Sequence, residues 1–307
     1  MNPIVSGIIP PLLTPLTSAG DIDVDSLTRL IEQQINAGVD GLFVLGSSGE
    51  VAFLTDEERE QVIELVLKLV DGRVPVYAGV IDTQTKRVIA HIRRAEALGV
   101  QAVVATAPFY AITGPDEIAA HFRALRAATD LPIIAYDIPV CVHTKLAPEL
   151  LVQLGAEGVL QGVKDSSGDD VSFRRLCALN KAAGSPLKVL TGHEAVVDGA
   201  YLAGADGCVP GLGNVDPAGY VRMWRAYQAG DFATMRAEQD RLAQLFEIVF
   251  QPIGKVGPAA GVGSFKTALE LMGVFTTNLM SPPLAPIDDA PSRDAIADIL
   301  RKVGVLA

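Results

Sequence analysis

Ala37-Gly38-Val39-Asp40-Gly41-Leu42-Phe43-Val44-Leu45-Gly46 closes one helical pattern and opens an apolar strand within a few residues. The phrase returns as Leu98-Gly99-Val100-Gln101-Ala102-Val103-Val104-Ala105-Thr106, as Leu154-Gly155-Ala156-Glu157-Gly158-Val159-Leu160, and as Ala203-Gly204-Ala205-Asp206-Gly207-Cys208-Val209-Pro210. In each, a glycine able to take the left-handed C-cap conformation ends a helix and a short buried strand follows. Further strand candidates, bounded by proline or glycine, are Ile8–Thr14, Pro75–Val80, Pro132–Tyr136 and Leu187–Thr191. Helical patterns such as Val24–Ala37, Asp56–Val70, Lys86–Leu98 and Pro115–Thr129 alternate with these strands.

Strands alternating with helices pair in parallel, and near-continuous apolar strands are covered on both faces. Eight such units in about 230 residues predict an α/β fold, a closed (β/α)8 TIM barrel over residues 1–230. Residues 231–307 read as a C-terminal helical extension packed on the barrel, with helices over Phe232–Phe250, Phe265–Met272 and Arg293–Val303. The Gly/Pro-rich loop Pro252–Gly263 separates the first two of these, and no linker between independent domains is evident.

Of the 307 residues 49% are apolar but only 6% aromatic, so packing rests on Val, Leu, Ile and Ala. The net charge of −11 leaves no basic face to displace counterions from phosphates, which excludes a nucleic-acid binder. Cys141, Cys177 and Cys208 lie far apart without metal-ligand spacing and read as free thiols in a reducing, cytoplasmic compartment. The apolar start Met1–Thr14 lacks a positive n-region and contains Pro3, Pro10 and Pro11, so it does not read as a secretory signal. No run approaches about eighteen uninterrupted apolar residues, so no membrane span is expected.

Lys164 closes the apolar run Val159-Leu160-Gln161-Gly162-Val163-Lys164. Taken alone it also fits a lysine that snorkels from a strand end to solvent. Burial without a partner disfavours the ammonium and lowers its pKa. An ordinary lysine is only about 0.1% free amine at neutral pH, a handicap of ~4 kcal/mol that a shift to roughly pKa 7–8 largely removes. The free amine attacks carbonyls and forms Schiff bases. In a barrel, reactive groups lie where strands end at their C-termini, which selects Ser47, Ser48, Tyr110, Tyr136, Lys164 and Glu194. Each has a plainer reading: an ordinary turn at Gly46–Glu50, a core tyrosine at 136, a helix N-cap at Ser166 or Ser167. As a set they supply an amine nucleophile, a proton shuttle and hydroxyl and backbone N–H donors for a carboxylate, as a Schiff-base enzyme acting on a 2-oxo acid requires. His91 and His121 fall on helical patterns and read as surface residues; His143 and His193 follow strand ends and are candidates for substrate contact.

Gly46-Ser47-Ser48-Gly49-Glu50, Ala107-Pro108-Phe109-Tyr110, Tyr136-Asp137-Ile138-Pro139 and Gly162-Val163-Lys164-Asp165-Ser166-Ser167-Gly168 resemble, in order and spacing, the signatures of the dihydrodipicolinate synthase / N-acetylneuraminate lyase family. The resemblance continues through Gly192-His193-Glu194, Gly204-Ala205-Asp206-Gly207 and Asn214-Val215-Asp216-Pro217 to the tail Phe265-Lys266-Thr267-Ala268-Leu269 and Pro282-Pro283-Leu284. It implies a barrel with a helical extension, usually assembled as a homotetramer. It further implies a metal-independent class I aldolase with no cofactor beyond pyruvate held as an imine on Lys164. By the same resemblance Tyr136 is the acid/base, Ser47 relays protons to it, Ser48 holds the substrate carboxylate, and Tyr110 completes the relay from a neighbouring subunit. Ser47, Ser48, Ser166, Glu194, His143 and Val209 are the expected substrate contacts.

Two departures bear on the substrate. Synthases of the family carry an arginine five residues after the strand-five tyrosine, for the carboxylate of the second substrate; here Cys141 stands there. Lyases of the family lack that arginine but carry two consecutive acids for sugar hydroxyls, of which this chain has Glu194 followed by Ala195, and Gly211 replaces a serine. The leading expectation is therefore an N-acetylneuraminate lyase-like enzyme cleaving or forming a 2-oxo-3-deoxy sugar acid. The alternative is a 4-hydroxy-tetrahydrodipicolinate synthase condensing pyruvate with aspartate semialdehyde. A phosphate-binding barrel isomerase finds only Gly211-Leu212-Gly213-Asn214 in its favour, and a sugar-acid sensor has no use for a lysine and tyrosine at adjacent strand ends.

Overall fold

The computed structural model describes residues 6–306; Met1–Val5, the beginning of the apolar segment read above, lie outside the described residues. Among the described residues eight parallel strands form one sheet. They are β1 (Gly7–Ile8), β2 (Leu42–Val44), β3 (Val76–Gly79), β4 (Ala102–Thr106), β5 (Ile133–Asp137), β6 (Gly162–Asp165), β7 (Lys188–Thr191) and β8 (Gly207–Cys208). Their order, β1-β8-β7-β6-β5-β4-β3-β2, curls back on itself. A parallel bridge between Pro11 and Phe43 joins the ends, with the Leu12 N–H donating to the Phe43 carbonyl at 2.8 Å and the Phe43 N–H to the Pro10 carbonyl at 3.0 Å. The chain is thus the expected (β/α)8 barrel, with β1 shortened because Pro10 and Pro11 have no N–H to give to a ladder.

Helices α1 (Val24–Ala37), α2 (Asp56–Val70), α3 (Thr85–Leu98), α4 (Pro115–Arg126), the one-turn α5 (Pro139–Val142), α6 (Pro148–Ala156), α7 (Asp170–Ala182), α8 (Val197–Ala203) and α9 (Pro217–Gln228) follow the strands. Helices α10 (Phe232–Phe246), α11 (Pro258–Leu271) and α12 (Ala290–Lys302) form the C-terminal helical part. None of the described helices is long and apolar enough to cross a membrane. Local chemistry sets the boundaries. Asp23 caps α1, accepting from the Ser26 N–H, and Thr55 and Glu58 form a reciprocal capping box on α2, worth about 1 kcal/mol.

Gly38, Gly99 and Gly204 take the left-handed C-cap conformation read from the repeats. Gly155 does not: α6 runs through it because its missing side chain lets Leu187 pack against the helix, and the left-handed turn falls at Gly158. Ser166 and Ser167 are not the cap of α7; Asp169 is, accepting from the Ser172 N–H. Helix α11 begins at Pro258 rather than Phe265, since proline suits a first helical turn and Gly263 packs inward against Ile287. His91 and His121 are buried rather than exposed. His121 bonds Thr85, and burial pushes its pKa down to about 4.

Apolar side chains divide by strand alternation into two cores. Ile9, Phe43, Tyr77, Val104, Ile134 and Leu190 fill the barrel; the larger set packs the sheet against its helices. One charged link crosses this apolar ground. Lys266 of α11 pairs with Glu50, both wholly buried. Lys266 Nζ also donates to the Leu279 carbonyl at 2.7 Å, and Glu50 Oε2 accepts from the Ser281 N–H at 2.7 Å. Burial pulls the Lys266 pKa below its ordinary value, while Glu50 holds the charge in place. Lys266→Met leaves a buried carboxylate without its cation and is expected to cost about 3–5 kcal/mol, whereas Glu50→Gln/Lys266→Met recovers much of the loss. Urea unfolding of the three proteins checks this; a Lys266→Met loss under about 1 kcal/mol would show that the pair is dispensable.

Candidate active site

Strands β5 and β6 pair with Tyr136 opposite Lys164 and Asp137 opposite Asp165. Side chains alternate along a strand, so the first pair shares one face and the second pair the other. Tyr136 and Lys164 point into the barrel, with Lys164 Nζ 4.1 Å from the centre of the Tyr136 ring and 5.0 Å from that of Phe43. Lys164 is only 5% exposed, so it does not snorkel to solvent. It has no ion pair among the described residues.

Asp137 and Asp165 turn outward to Lys145, which pairs with Asp137 and lies 3.3 Å from Asp165 Oδ2. Burial raises the Asp137 pKa against the pull of Lys145 and of the Leu146 N–H at 3.1 Å. Lys145 loses by burial, but its two acids win and hold its pKa above the ordinary value. This cluster ties the ends of β5 and β6 to the segment after α5.

Above Lys164 opens a cleft of about 560 Å³ lined by Ser47, Ser48, Tyr136, Ser166, Glu194 and Val209, together with apolar residues from the C-terminal helices. The sequence-identified groups Lys164, Tyr136, Ser47, Ser48, Ser166, Glu194 and Val209 thus meet in one place. Ser47 lies beside the Cys141 thiol, whose pKa burial raises. Gly192 makes room for the lysine: a side chain there would meet Ser166 Oγ at 2.1 Å and Lys164 Cε at 3.2 Å.

Glu194 stands at the far side, near Ser48 and Phe265 around Gly211. Its Oε1 accepts from the Leu212 N–H at 2.9 Å. The residue is half-buried in the lining of the cleft, and burial pushes its pKa up to about 7 against the Leu212 N–H and Lys164.

Three candidates lie elsewhere. His143 is exposed, caps α5 in a left-handed conformation and does not line the cleft. His193 bonds Asp170 at 3.0 Å and does not line the cleft. Tyr110 is 95% exposed on the loop after β4, away from Tyr136 within a single chain. Sequence reasoning missed Ile138 and Val140, and also Phe246, Val249, Val262 and Phe265 from the extension. Of the latter group only Phe265 falls in a stretch that the family resemblance marks, and the Gly/Pro-rich approach to α11 is the other hint. A depression of about 630 Å³ between α7 and α8 holds none of the identified groups. Among the described residues no group of three or more His, Cys, Asp or Glu side chains is placed to hold a metal ion.

The sequence model of the dihydrodipicolinate synthetase family matches residues 4–302. A 4-hydroxy-tetrahydrodipicolinate synthase of Phenylobacterium zucineum is 32% identical over 308 residues, covering 100% of both chains. Another, of Roseobacter denitrificans, is 35% identical over 282 residues, covering 92% of this chain and 96% of the relative. Among solved structures, YagE, a prophage protein of the dihydrodipicolinic acid synthase family from E. coli K12 in complex with pyruvate, superposes with a TM-score of 0.92 at 29% identity, covering 98% of this chain and 99% of that one. A monomeric dihydrodipicolinate synthase variant superposes equally well, with a TM-score of 0.92 at 27% identity over 99% of each chain.

The raised pKa of Glu194 makes stability depend on pH. Between about 4.5 and about 7 the folded chain keeps a proton that the unfolded chain has released, so stability falls as pH rises through that window. Glu194→Gln removes the dependence. From pH 5 to pH 8 the wild type should lose about 1–3 kcal/mol relative to the variant, as measured by denaturant unfolding at both pH values. Parallel curves would mean that the carboxyl is hydrated in solution.

Proposed function

The chain belongs to the dihydrodipicolinate synthetase family and is a carbon–carbon lyase of the pyruvate-dependent class I kind, and we propose that it works by holding pyruvate as an imine on Lys164. The observation that carries this reading is the in-register pair Tyr136–Lys164, which sets an amine and a phenol side by side at the floor of the cleft.

Lys164 Nζ attacks the pyruvate carbonyl carbon, and water leaves as the imine forms. Tyr136 supplies and recovers the protons of the carbinolamine steps, and the Ser47–Ser48 turn receives the carboxylate. Loss of a C3 proton gives an enamine whose carbon attacks an aldehyde. The new alkoxide takes a proton, and hydrolysis frees a 4-hydroxy-2-oxo acid. Cleavage is the same path reversed. In this reading Tyr110, exposed on its loop, serves the cleft of a neighbouring copy in a homotetramer rather than its own. The free cysteines suit a cytoplasmic protein.

For the second substrate, the relatives support condensation with aspartate semialdehyde ahead of cleavage of a sugar acid, the reading that led from sequence. Against the sugar reading, Glu194 stands without a second acid, and His143 is outside the cleft.

Pyruvate with borohydride should add a reduced pyruvyl group to Lys164 and abolish activity, as mass mapping of tryptic peptides will read. An adduct on Lys145 or Lys266 instead would overturn the mechanism. Tyr136→Phe should keep the fold and lose turnover by roughly 10²–10⁴, the usual size of an acid/base contribution. A loss of stability with turnover intact would make Tyr136 structural.

A further inference from the structure

The cleft is chemically divided. Its floor and one side carry the polar groups that a 2-oxo acid needs. Around Gly211 the Glu194 carboxyl and the Ser48 hydroxyl meet the ring of Phe265, and beyond them the lining contributed by the C-terminal helices is apolar. Phe246, Val249, Val262 and Phe265 descend from α10, the turn after it, and α11, and Ile138 and Val140 close the opposite rim. Phe246 lies 6.5 Å from Phe265, ring centre to ring centre, so two neighbouring rings and the methyls of the two valines make up this wall.

Among the described residues lining the cleft, Lys164 is the one cation and Glu194 the one acid. Imine formation consumes the first. The adjoining loop offers Lys255, but it does not line the cleft, and its charge acts on Asp289. Cys141 supplies no charge of the sign a carboxylate needs. An aldehyde bearing a carboxylate would therefore lose its water with no cation in return, and a polyhydroxylated one would leave most of its hydroxyls against rings and methyls.

We propose that the second substrate of this site is an uncharged aldehyde with an apolar aryl or branched-alkyl substituent, seated against Phe246, Val249, Val262 and Phe265. The inference rests on the imine reading of Lys164 and departs from both second substrates considered above. In the step itself, C3 of the Lys164-bound enamine bonds to the aldehyde carbon and the carbonyl π pair moves to oxygen. That oxygen takes from Tyr136 the proton lost at C3. Water then releases a 4-hydroxy-2-oxo acid with an apolar terminus and regenerates the amine.

The test compares kcat/KM for condensation of pyruvate with benzaldehyde, aspartate semialdehyde and glyceraldehyde, with borohydride trapping at Lys164 run alongside. Binding of benzyl alcohol, homoserine and glycerol, which cannot react, is followed by ligand-observed NMR. Benzaldehyde should lead by at least tenfold, and benzyl alcohol should bind best. Val249→Ser should lower the benzaldehyde-to-glyceraldehyde ratio at least tenfold, and Cys141→Arg should raise turnover of aspartate semialdehyde at least fivefold. A tenfold preference for either polar aldehyde, or no turnover of any with Lys164 still trapped, overturns the proposal. A missing Lys164 adduct overturns the imine reading instead, and the order of alcohol affinities then decides the subsite by itself.

Discussion

Register between β5 and β6 is the constraint on which the site depends. Because the side-chain period of a strand is two, pairing Tyr136 with Lys164 necessarily pairs Asp137 with Asp165 on the opposite face. A slip of one residue would bring a carboxylate beside the amine and send the phenol into the helix layer. Lys145 guards against this from outside, holding both acids where the strands end. Tyr136 and Lys164 are thus kept in place by charges on the opposite face of the two strands.

The C-terminal helices serve the site in two ways. Through the buried Lys266–Glu50 pair and the Ser281 N–H, helix α11 and the segment after it grip the loop that carries Ser47 and Ser48. Through Val262 and Phe265, the same helix walls the cleft. A buried ion pair is poor evidence of stability, since desolvating two charges is costly, but it is well suited to fixing one position among many. Here it holds the loop after β2 to a helix more than two hundred residues away in sequence. Glu194 adds a carboxyl whose burial brings its pKa to about 7, so that near neutrality it is present both as a hydrogen-bond donor and as an anion.

Much of this was legible in the chain. Helices α1 and α2 run between the boundaries their caps announce, and β4 is where its β-branched run lies. Lys164, Tyr136, Ser47, Ser48, Ser166, Glu194 and Val209 were identified from strand ends and from resemblance, because in a barrel every strand delivers its last residues to the same rim. Where two glycines compete, as at Gly155 and Gly158, sequence cannot say which one turns; packing against Leu187 decides. His143 and His193 looked equivalent to Glu194 by position, yet a left-handed cap and a bond to Asp170 turn them away.

By itself, the sequence determined the alternation of strands and helices, hence the barrel, and the chemistry available at its rim. Those properties follow from local periodicity and from residue type, which no fold can alter. Only the tertiary structure decided what else lines the cleft above Lys164. Phe246, Val249, Val262 and Phe265 read as ordinary core residues in their own helices, because an apolar side chain carries no sign of whether its neighbour is another side chain or a substrate. That distinction exists only once α10 and α11 have closed over the barrel and left one side of those residues open to the cleft.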